Sequence, residues 1–197
     1  FDLLFIGVES FSENSLLETA KVQNSSVELT TAIQQVQSYG FIIVAGLIFG
    51  FDSDDENCFD LTLDGLRESG LLSGDPSLLT ALPGTPLFRR MKLAGRLRQV
   101  RYGLGGFKYQ TNFRYLMPKE SMINGYRHFI NQYNRGNYQY QRLATYMEVI
   151  AQSGTFIPLD HGGYGEIGRF LSMVMRSRRA MLQLLTRGLK FCLRPSN

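Results

Sequence analysis

Two continuous apolar runs stand out against the mixed pattern around them. They cover residues 3–8 (LLFIGV) and 41–49 (FIIVAGLIF), and neither contains a charged side chain. Runs of this length without polar alternation are typical of strands that are buried on both faces of a parallel sheet. A shorter run at 77–82 (SLLTAL) predicts a third strand.

Helical spacing of apolar residues fills the intervals between these runs. Hydroxyl and carboxylate side chains cap helix amino termini, proline suits the first turn, and glycine commonly follows the last turn. With these signals, helices are predicted to begin after Ser12, to cover 27–39 before Gly40, to run from Asp54 or Asp55 to Gly70, and to begin at Thr85-Pro86.

Strand and helix therefore alternate three times within residues 1–97. This order predicts an α/β fold whose parallel strands are joined by right-handed crossover helices. A doubly wound sheet and a partial (β/α) barrel segment both fit the pattern. Three strands are too few to close a barrel.

The composition of the sequence changes after residue 97. Residues 98–118 are rich in glycine, arginine and aromatic side chains, which predicts a linker. Helical patterns resume at 119–134, 138–152 and 166–190. We therefore divide the chain into an α/β part at 1–97, a linker at 98–118 and a small α-helical domain at 119–197.

Charge is distributed unevenly between the two halves. Residues 1–75 contain 13 acidic and 2 basic side chains, whereas residues 76–197 contain 4 acidic and 19 basic ones. Such asymmetry is typical of proteins that contact nucleic acid or a membrane surface. It equally fits a globule whose two halves face each other, and the sequence leaves both interpretations open.

The first residues and the cysteine usage set expectations about context. The chain begins inside an apolar run at Phe1 without an initiator Met, so we expect a fragment whose amino-terminal part is missing. The sequence shows no signal-peptide pattern and no apolar run long enough to span a membrane. Only Cys58 and Cys192 are present, far apart, which does not resemble a disulfide framework. We expect a cytoplasmic location.

The first two predicted strands end in residues suited to binding a nucleoside. Ligands bind at the carboxyl ends of strands in α/β sheets and barrels. Glu9 and Ser10 could hydrogen-bond a ribose diol, or could simply end a strand and cap a helix. Gly46 and Gly50 flank Ile48, so a flat ring could approach an apolar platform there. The same glycines also fit relief of crowding under a helix.

The third predicted strand leads into a loop with two prolines around a glycine. Thr80 precedes Pro83, Gly84 and Thr85, and Pro86 follows them. Proline and glycine in this order fix a rigid turn between a strand and a helix. Alone, the pattern indicates a structured loop and nothing more specific.

Taken in order, these three segments resemble the radical S-adenosylmethionine (SAM) superfamily. "FIGVES" is similar to its fourth core strand, "GLIFGFDSD" to the GxIxGxxE-type segment on its fifth, and "LLTALPGTPLF" to its sixth strand and loop. The spacing and Gly95-Arg96-Leu97 resemble the cobalamin-binding branch, which includes hopanoid and chlorophyll-pathway enzymes. "TNF…MPKESMINGYRHFINQYN" resembles that branch's carboxy-terminal extension. The resemblance covers residues 1–145, and Asp54 or Asp55 stands near where the motif has glutamate.

The resemblance implies a partial barrel that binds the nucleoside end of SAM. It also implies that the parent enzyme uses an iron–sulfur cluster and cobalamin. The expected reaction modifies an unactivated carbon of a small-molecule or lipid-like substrate, for example by methylation, through an adenosyl radical. The implied roles are ribose contact for Glu9 and Ser10, adenine packing for Ile48 between Gly46 and Gly50, and a neighbouring loop formed by Thr80, Pro83 and Thr85.

The sequence lacks the ligands for such a cluster. The family's Cys-x-x-x-Cys-x-x-Cys loop and its Gly-Gly-Glu segment do not occur in it. Cys58 and Cys192 cannot replace them, because three closely spaced thiolates are needed to leave one iron open for SAM. We therefore expect the missing amino-terminal half of the enzyme to supply them, and this chain alone to be catalytically incomplete.

A second function remains open because of the basic tail. Residues 169–194 alternate arginine and lysine with apolar side chains. This helix could lie on an anionic membrane surface, or could cover a barrel with its apolar face. The alternative function is therefore a non-catalytic binding protein that retains half of the fold and associates with a membrane. The basic residues form no recognisable nucleic-acid-binding motif, so we expect no nucleic-acid partner.

Overall fold

Strands and helices alternate in a computed structural model that describes residues 3–18, 26–98 and 111–153. The three strands form one parallel sheet in the order β1-β2-β3, so the predicted α/β fold with three parallel strands and following helices is confirmed. The predicted helix at 166–190 and the basic segment 169–194 lie outside the described residues. The elements are β1 (Leu3–Glu9), α1 (Glu13–Glu18), α2 (Ser26–Gln37), β2 (Ile42–Phe49), α3 (Cys58–Ser69), β3 (Ser73–Leu78), α4 (Pro86–Leu93), α5 (Lys119–Tyr133) and α6 (Gly136–Ser153).

One face of the sheet is buried under helices. Burial alternates along β2, where every second side chain is buried and its neighbours are half-buried. Phe49, at the end of β2, stacks on Phe59 of α3 at 5.0 Å between ring centroids. It meets Phe129 of α5 edge-on at 4.8 Å. Side chains from α2, α3, α5 and α6 complete this core.

The opposite face of the sheet is exposed in the structure. Leu3 and Phe5 of β1 expose 52% and 66% of their surface, although both are large and apolar. Parallel sheets normally have both faces covered, so this face fits the inner wall of a (β/α) barrel. We call it the open face. It consists of Leu3, Phe5, Gly7, Ile42, Val44, Gly46, Ile48, Ser73, Asp75 and Ser77, as the strand register shows.

The prediction of the third strand was wrong in position. The apolar run at 77–82 predicted it, but β3 spans Ser73–Leu78 and has the sequence SGDPSL. Its polar side chains Ser73, Asp75 and Ser77 all belong to the open face, so β3 lacks the continuous apolar run of β1 and β2. Pro76 is tolerated because β3 is an edge strand of this sheet, where a missing N–H breaks no ladder.

The two carboxy-terminal helices share the core of the sheet. Tyr126 of α5 donates its hydroxyl to the carbonyl of Pro76 at 3.1 Å. Tyr138 of α6 donates to the carbonyl of Leu63 at 2.6 Å. The division into domains at residues 97 and 118 stays a prediction. No helix within the described residues combines the length and the apolar character that crossing a membrane requires.

Helix ends follow the predicted signals in two places and differ in a third. Gly70 ends α3 in the left-handed conformation with φ 69°. Thr85 caps α4 by accepting a hydrogen bond from the Phe88 amide at 3.2 Å. However, α3 begins at Cys58 rather than at Asp54 or Asp55. The Asp54 carboxylate accepts hydrogen bonds from the amides of Gly50 and Phe51 in the preceding turn, so it does not cap the helix.

Candidate functional site

The end of β1 has an unusual backbone. The register with β2 shifts between Gly7 and Glu9, which forms a β-bulge. Glu9 has φ 68°, a left-handed conformation that costs on the order of 1–2 kcal/mol for residues with a side chain. Such strained positions concentrate at functional sites. Ser10 is buried beside it, and its hydroxyl accepts a hydrogen bond from the Ser12 amide at 3.0 Å.

Gly46 and Ile48 lie in the middle of the open face. Both are half-buried, and Gly46 pairs with Gly7 on one side and Asp75 on the other. A Cβ at Gly46 would stand 3.4 Å from the ring of Phe5. The two facing glycines and these apolar side chains leave a shallow surface on which a flat ring could pack.

The glycine at position 50, directly after β2, is explained by packing within the chain. Its φ of 110° favours glycine, and a Cβ there would stand 2.3 Å from the ring of Tyr115. The tyrosine ring therefore fills the space that a side chain would need. This contact accounts for the glycine without a ligand, and the predicted role of Gly50 in binding SAM stays a prediction.

Asp54 fixes the turn between β2 and α3. One carboxylate oxygen accepts the amides of Gly50 at 2.7 Å and Phe51 at 3.1 Å, and the other accepts the Ser15 hydroxyl at 2.5 Å. Burial raises the pKa of the Asp54 carboxyl, although these hydrogen bonds oppose the shift. Asp55 is exposed and accepts the Asn57 amide at 3.0 Å, whereas Asp54 is buried and bonds the start of the loop.

The remaining predicted residues follow β3. Thr80 is half-buried and its hydroxyl donates to the Leu78 carbonyl at 3.2 Å. Pro83 is exposed, and Thr85 caps α4. The structure therefore brings all of the predicted residues to the carboxyl side of the sheet or to its open face. Their roles in binding SAM stay predictions.

A network of charges that the sequence analysis did not identify lies at the same edge. Arg96 binds both carboxylate oxygens of Asp52, at 2.8 and 2.6 Å. Its Nε also donates to the Arg114 carbonyl at 2.8 Å. Arg90 of α4 pairs with Glu18 of α1. Acids from the first half meet bases from the second, which favours the interpretation that the two halves face each other.

Replacing Arg96 with alanine should lower the free energy of unfolding by about 1–3 kcal/mol, the range for losing a charge-assisted pair with little exposure. The Arg96 and Asp52 side chains are only 15% and 25% exposed. The matched control is Arg67→Ala, because Arg67 pairs with Asp64 and both are more exposed, at 42% and 52%. That change should cost at most about 0.5 kcal/mol. Equal losses in urea denaturation would contradict the account.

Cys58 does not fit as an iron–sulfur ligand. It is buried in the core at the start of α3, and its burial raises the pKa of the thiol. Iron binds the thiolate, whereas burial favours the protonated thiol of this side chain. Within the described part of the chain, no group of three histidine, cysteine or acidic side chains could hold a metal ion. Cys192 lies outside it.

Comparison with known proteins identifies the class to which the chain belongs. The family described as "Domain of unknown function (DUF4070)" matches residues 85–188, which is more than half of the chain, so the chain belongs to this family. The family's segment includes α4, α5 and α6, and side chains of α5 and α6 pack in the core.

Three curated relatives are similar to this chain. An uncharacterized methyltransferase of Synechocystis sp. is 30% identical over 126 residues, covering 64% of this chain and 24% of its own length. The hopanoid C-2 methylase of Rhodopseudomonas palustris is 27% identical over 123 residues, covering 62% and 22%. Bacteriochlorophyllide d C-12(1)-methyltransferase of Chlorobaculum tepidum is 31% identical over 119 residues, covering 60% and 25%.

The chain spans about a quarter of the length of these relatives. A hopanoid methylase and a bacteriochlorophyllide methyltransferase are among them, which confirms the resemblance to the cobalamin-binding branch of the radical SAM superfamily. All three relatives are named as methylases or methyltransferases.

Proposed function

We propose that this chain is the carboxy-terminal part of a cobalamin-dependent radical SAM enzyme that methylates an unactivated carbon. The observation that carries the proposal is the open face, where Leu3 and Phe5 are exposed on the same side of the sheet as Gly46 and Ile48, while helices cover the other side. A parallel sheet with one uncovered face fits a barrel whose remaining strands come from another part of the protein. The names of the relatives support methyl transfer as the reaction.

The residues of this chain would bind and orient the nucleoside. The bulge and the left-handed backbone of Glu9 present its carboxylate at the end of β1, where it could accept hydrogen bonds from ribose hydroxyls. Ile48 would give the adenine an apolar surface to pack on. Asp54 would keep the loop after β2 in one conformation, because its carboxylate bonds both amides at the start of that loop.

The residues of this chain fit one of the groups that the resemblance implies, SAM, and do not fit another, the iron–sulfur cluster. The surface at Gly46 and Ile48 fits a flat ring, whereas Cys58 does not fit a cluster. When bound, SAM, the reduced cluster and cobalamin would supply the radical and methyl-carrying chemistry. The proposal therefore requires an amino-terminal part of the parent enzyme to hold the cluster and cobalamin, and this chain alone to lack activity.

Glu9→Gln, made in the full-length protein that contains this chain, should weaken SAM binding by about 10- to 100-fold, the range for losing one charge-assisted hydrogen bond. The amide keeps the size of the side chain, so the thermal unfolding midpoint should change little. Anaerobic equilibrium dialysis against labelled SAM measures the affinity.

The matched control is Glu13→Gln, because Glu13 is exposed on the first turn of α1. It should bind SAM as the wild type does. If Glu9→Gln also binds SAM like the wild type, the carboxylate does not contact the ribose and the proposed orientation of the nucleoside is wrong.

A further inference from the structure

A large groove lies away from the open face, between segment 111–118 and α5. Its volume is about 910 Å³, which is within the range of small-molecule sites. Apolar side chains form much of its wall, among them Phe113 and Ile123. Leu78 also lines it and packs against the helix-covered core, so the groove opens on the side of the sheet opposite to the proposed nucleoside site.

Four cationic side chains line this groove: Arg98, Arg114, Lys119 and Arg127. All four are exposed. Among the residues that the structure describes, no carboxylate lies within 4.0 Å of any of them, and no acidic residue lines the groove. Arg90 and Arg96, from the same basic stretch, are by contrast paired with acids. The positive charge around the groove is therefore not neutralised by acidic side chains of the described residues.

The sequence argues against a segment of this chain as the occupant. No acidic residue occurs between Asp75 and Glu120. The connecting residues 99–110 contain Arg101 and Lys108, so they carry the same sign of charge as the groove. Among the charged residues after 153, seven are basic and two are acidic. Like charges oppose docking, so the groove calls for an occupant with a negative group.

We propose that this groove binds an amphiphile that has an apolar body and one phosphate or carboxylate group. The apolar body would pack on Phe113 and Ile123, and the anion would be bound by the surrounding arginine and lysine side chains, which favour phosphate and carboxylate oxygens. The proposal concerns a free small molecule, and loss of vesicle binding alone would assign the groove to a membrane lipid instead. This proposal goes beyond the SAM chemistry and does not depend on it.

The test uses the full-length protein and a matched pair of probes, farnesyl phosphate and farnesol. The double variant Arg114→Gln, Lys119→Gln should lose at least about tenfold in affinity for farnesyl phosphate and should bind farnesol as the wild type does. The control is Arg89→Gln, Lys92→Gln, which removes two exposed cations of α4 that do not line the groove. It should bind both probes like the wild type. Isothermal titration calorimetry measures the affinities.

A second variant tests the apolar wall. Ile123→Asp should weaken both probes, and its side chain is 38% exposed, so the fold should tolerate it. Sedimentation with phosphatidylglycerol vesicles should be equal for wild type and variants. The proposal is overturned if the wild type does not bind farnesyl phosphate, or if the double variant binds it as tightly as the wild type. It is also overturned if Ile123→Asp changes neither affinity, or if the groove variants lose only vesicle binding. SAM affinity, measured in parallel, separates this result from a failure of the proposed function.

Discussion

Gly50→Ala is expected to lower the free energy of unfolding by about 4 kcal/mol. Two separate costs add at this position. The φ of 110° would strain any residue with a side chain by about 1–3 kcal/mol. The new Cβ would also stand 2.3 Å from the Tyr115 ring, and overpacking of this kind costs about 1–3 kcal/mol. Chemical denaturation monitored by circular dichroism measures the loss.

Gly84→Ala separates these two costs. Gly84 also has a positive φ, of 88°, but nothing lies within 4 Å of a Cβ built there. It should lose only the strain, about 1–2 kcal/mol. If the two variants lose the same amount, the tight packing of Tyr115 against Gly50 is not present in solution.

Asp54→Ala is expected to lower the free energy of unfolding by about 3 kcal/mol. The change removes the acceptor for two backbone amides, those of Gly50 and Phe51, and for the Ser15 hydroxyl. A buried donor without a partner costs about 1–3 kcal/mol, and the costs within one network are not additive. The control is Asp55→Ala, which removes an exposed side chain that accepts the Asn57 amide at 3.0 Å and should cost about 1 kcal/mol or less. Similar losses for both variants in urea denaturation would contradict the role of Asp54.

Asp54 should make the free energy of unfolding depend on pH in a definite direction. Burial raises the pKa of Asp54 in the folded chain above its ordinary value of 3.8, so the native state binds this proton more tightly than the unfolded state. The resulting stability is fully present below that ordinary pKa and is lost as pH rises through the folded pKa. Wild type should therefore gain stability relative to Asp54→Asn as pH is lowered from neutral. A difference that does not change with pH would contradict the direction of the shift.

The sequence was sufficient to predict the strands whose pattern was uniform. β1 and β2 were predicted from continuous apolar runs, because apolar side chains occupy both their helix-covered face and the open face. β3 was placed too late, because three of its residues are polar and belong to the open face, while the apolar residues that follow it pack outside the sheet. Residues Leu79 and Ala81 there are held by hydrogen bonds from Thr111 and Asn112, which no local pattern reveals.

The candidate site could be predicted only in part. Strand ends identified Glu9, Gly46 and Ile48 as candidates, since parallel strands bring their carboxyl ends to one edge. The left-handed backbone of Glu9 and the pairing of Asp52 with Arg96 depend on register and on contacts between distant segments, so the sequence could not show them. The uneven charge distribution was the available signal for that pairing.

The most direct test of the account uses the full-length protein that contains this chain, reconstituted anaerobically with iron and sulfide. Electron paramagnetic resonance of the reduced cluster is recorded with and without SAM, for the wild type and for Ile48→Asp on the open face. We expect SAM to change the wild-type signal, and Ile48→Asp to keep the cluster signal but to lose the response to SAM. A wild-type cluster that does not respond to SAM, or an Ile48→Asp variant that responds like the wild type, would contradict the claim that this open face binds the nucleoside.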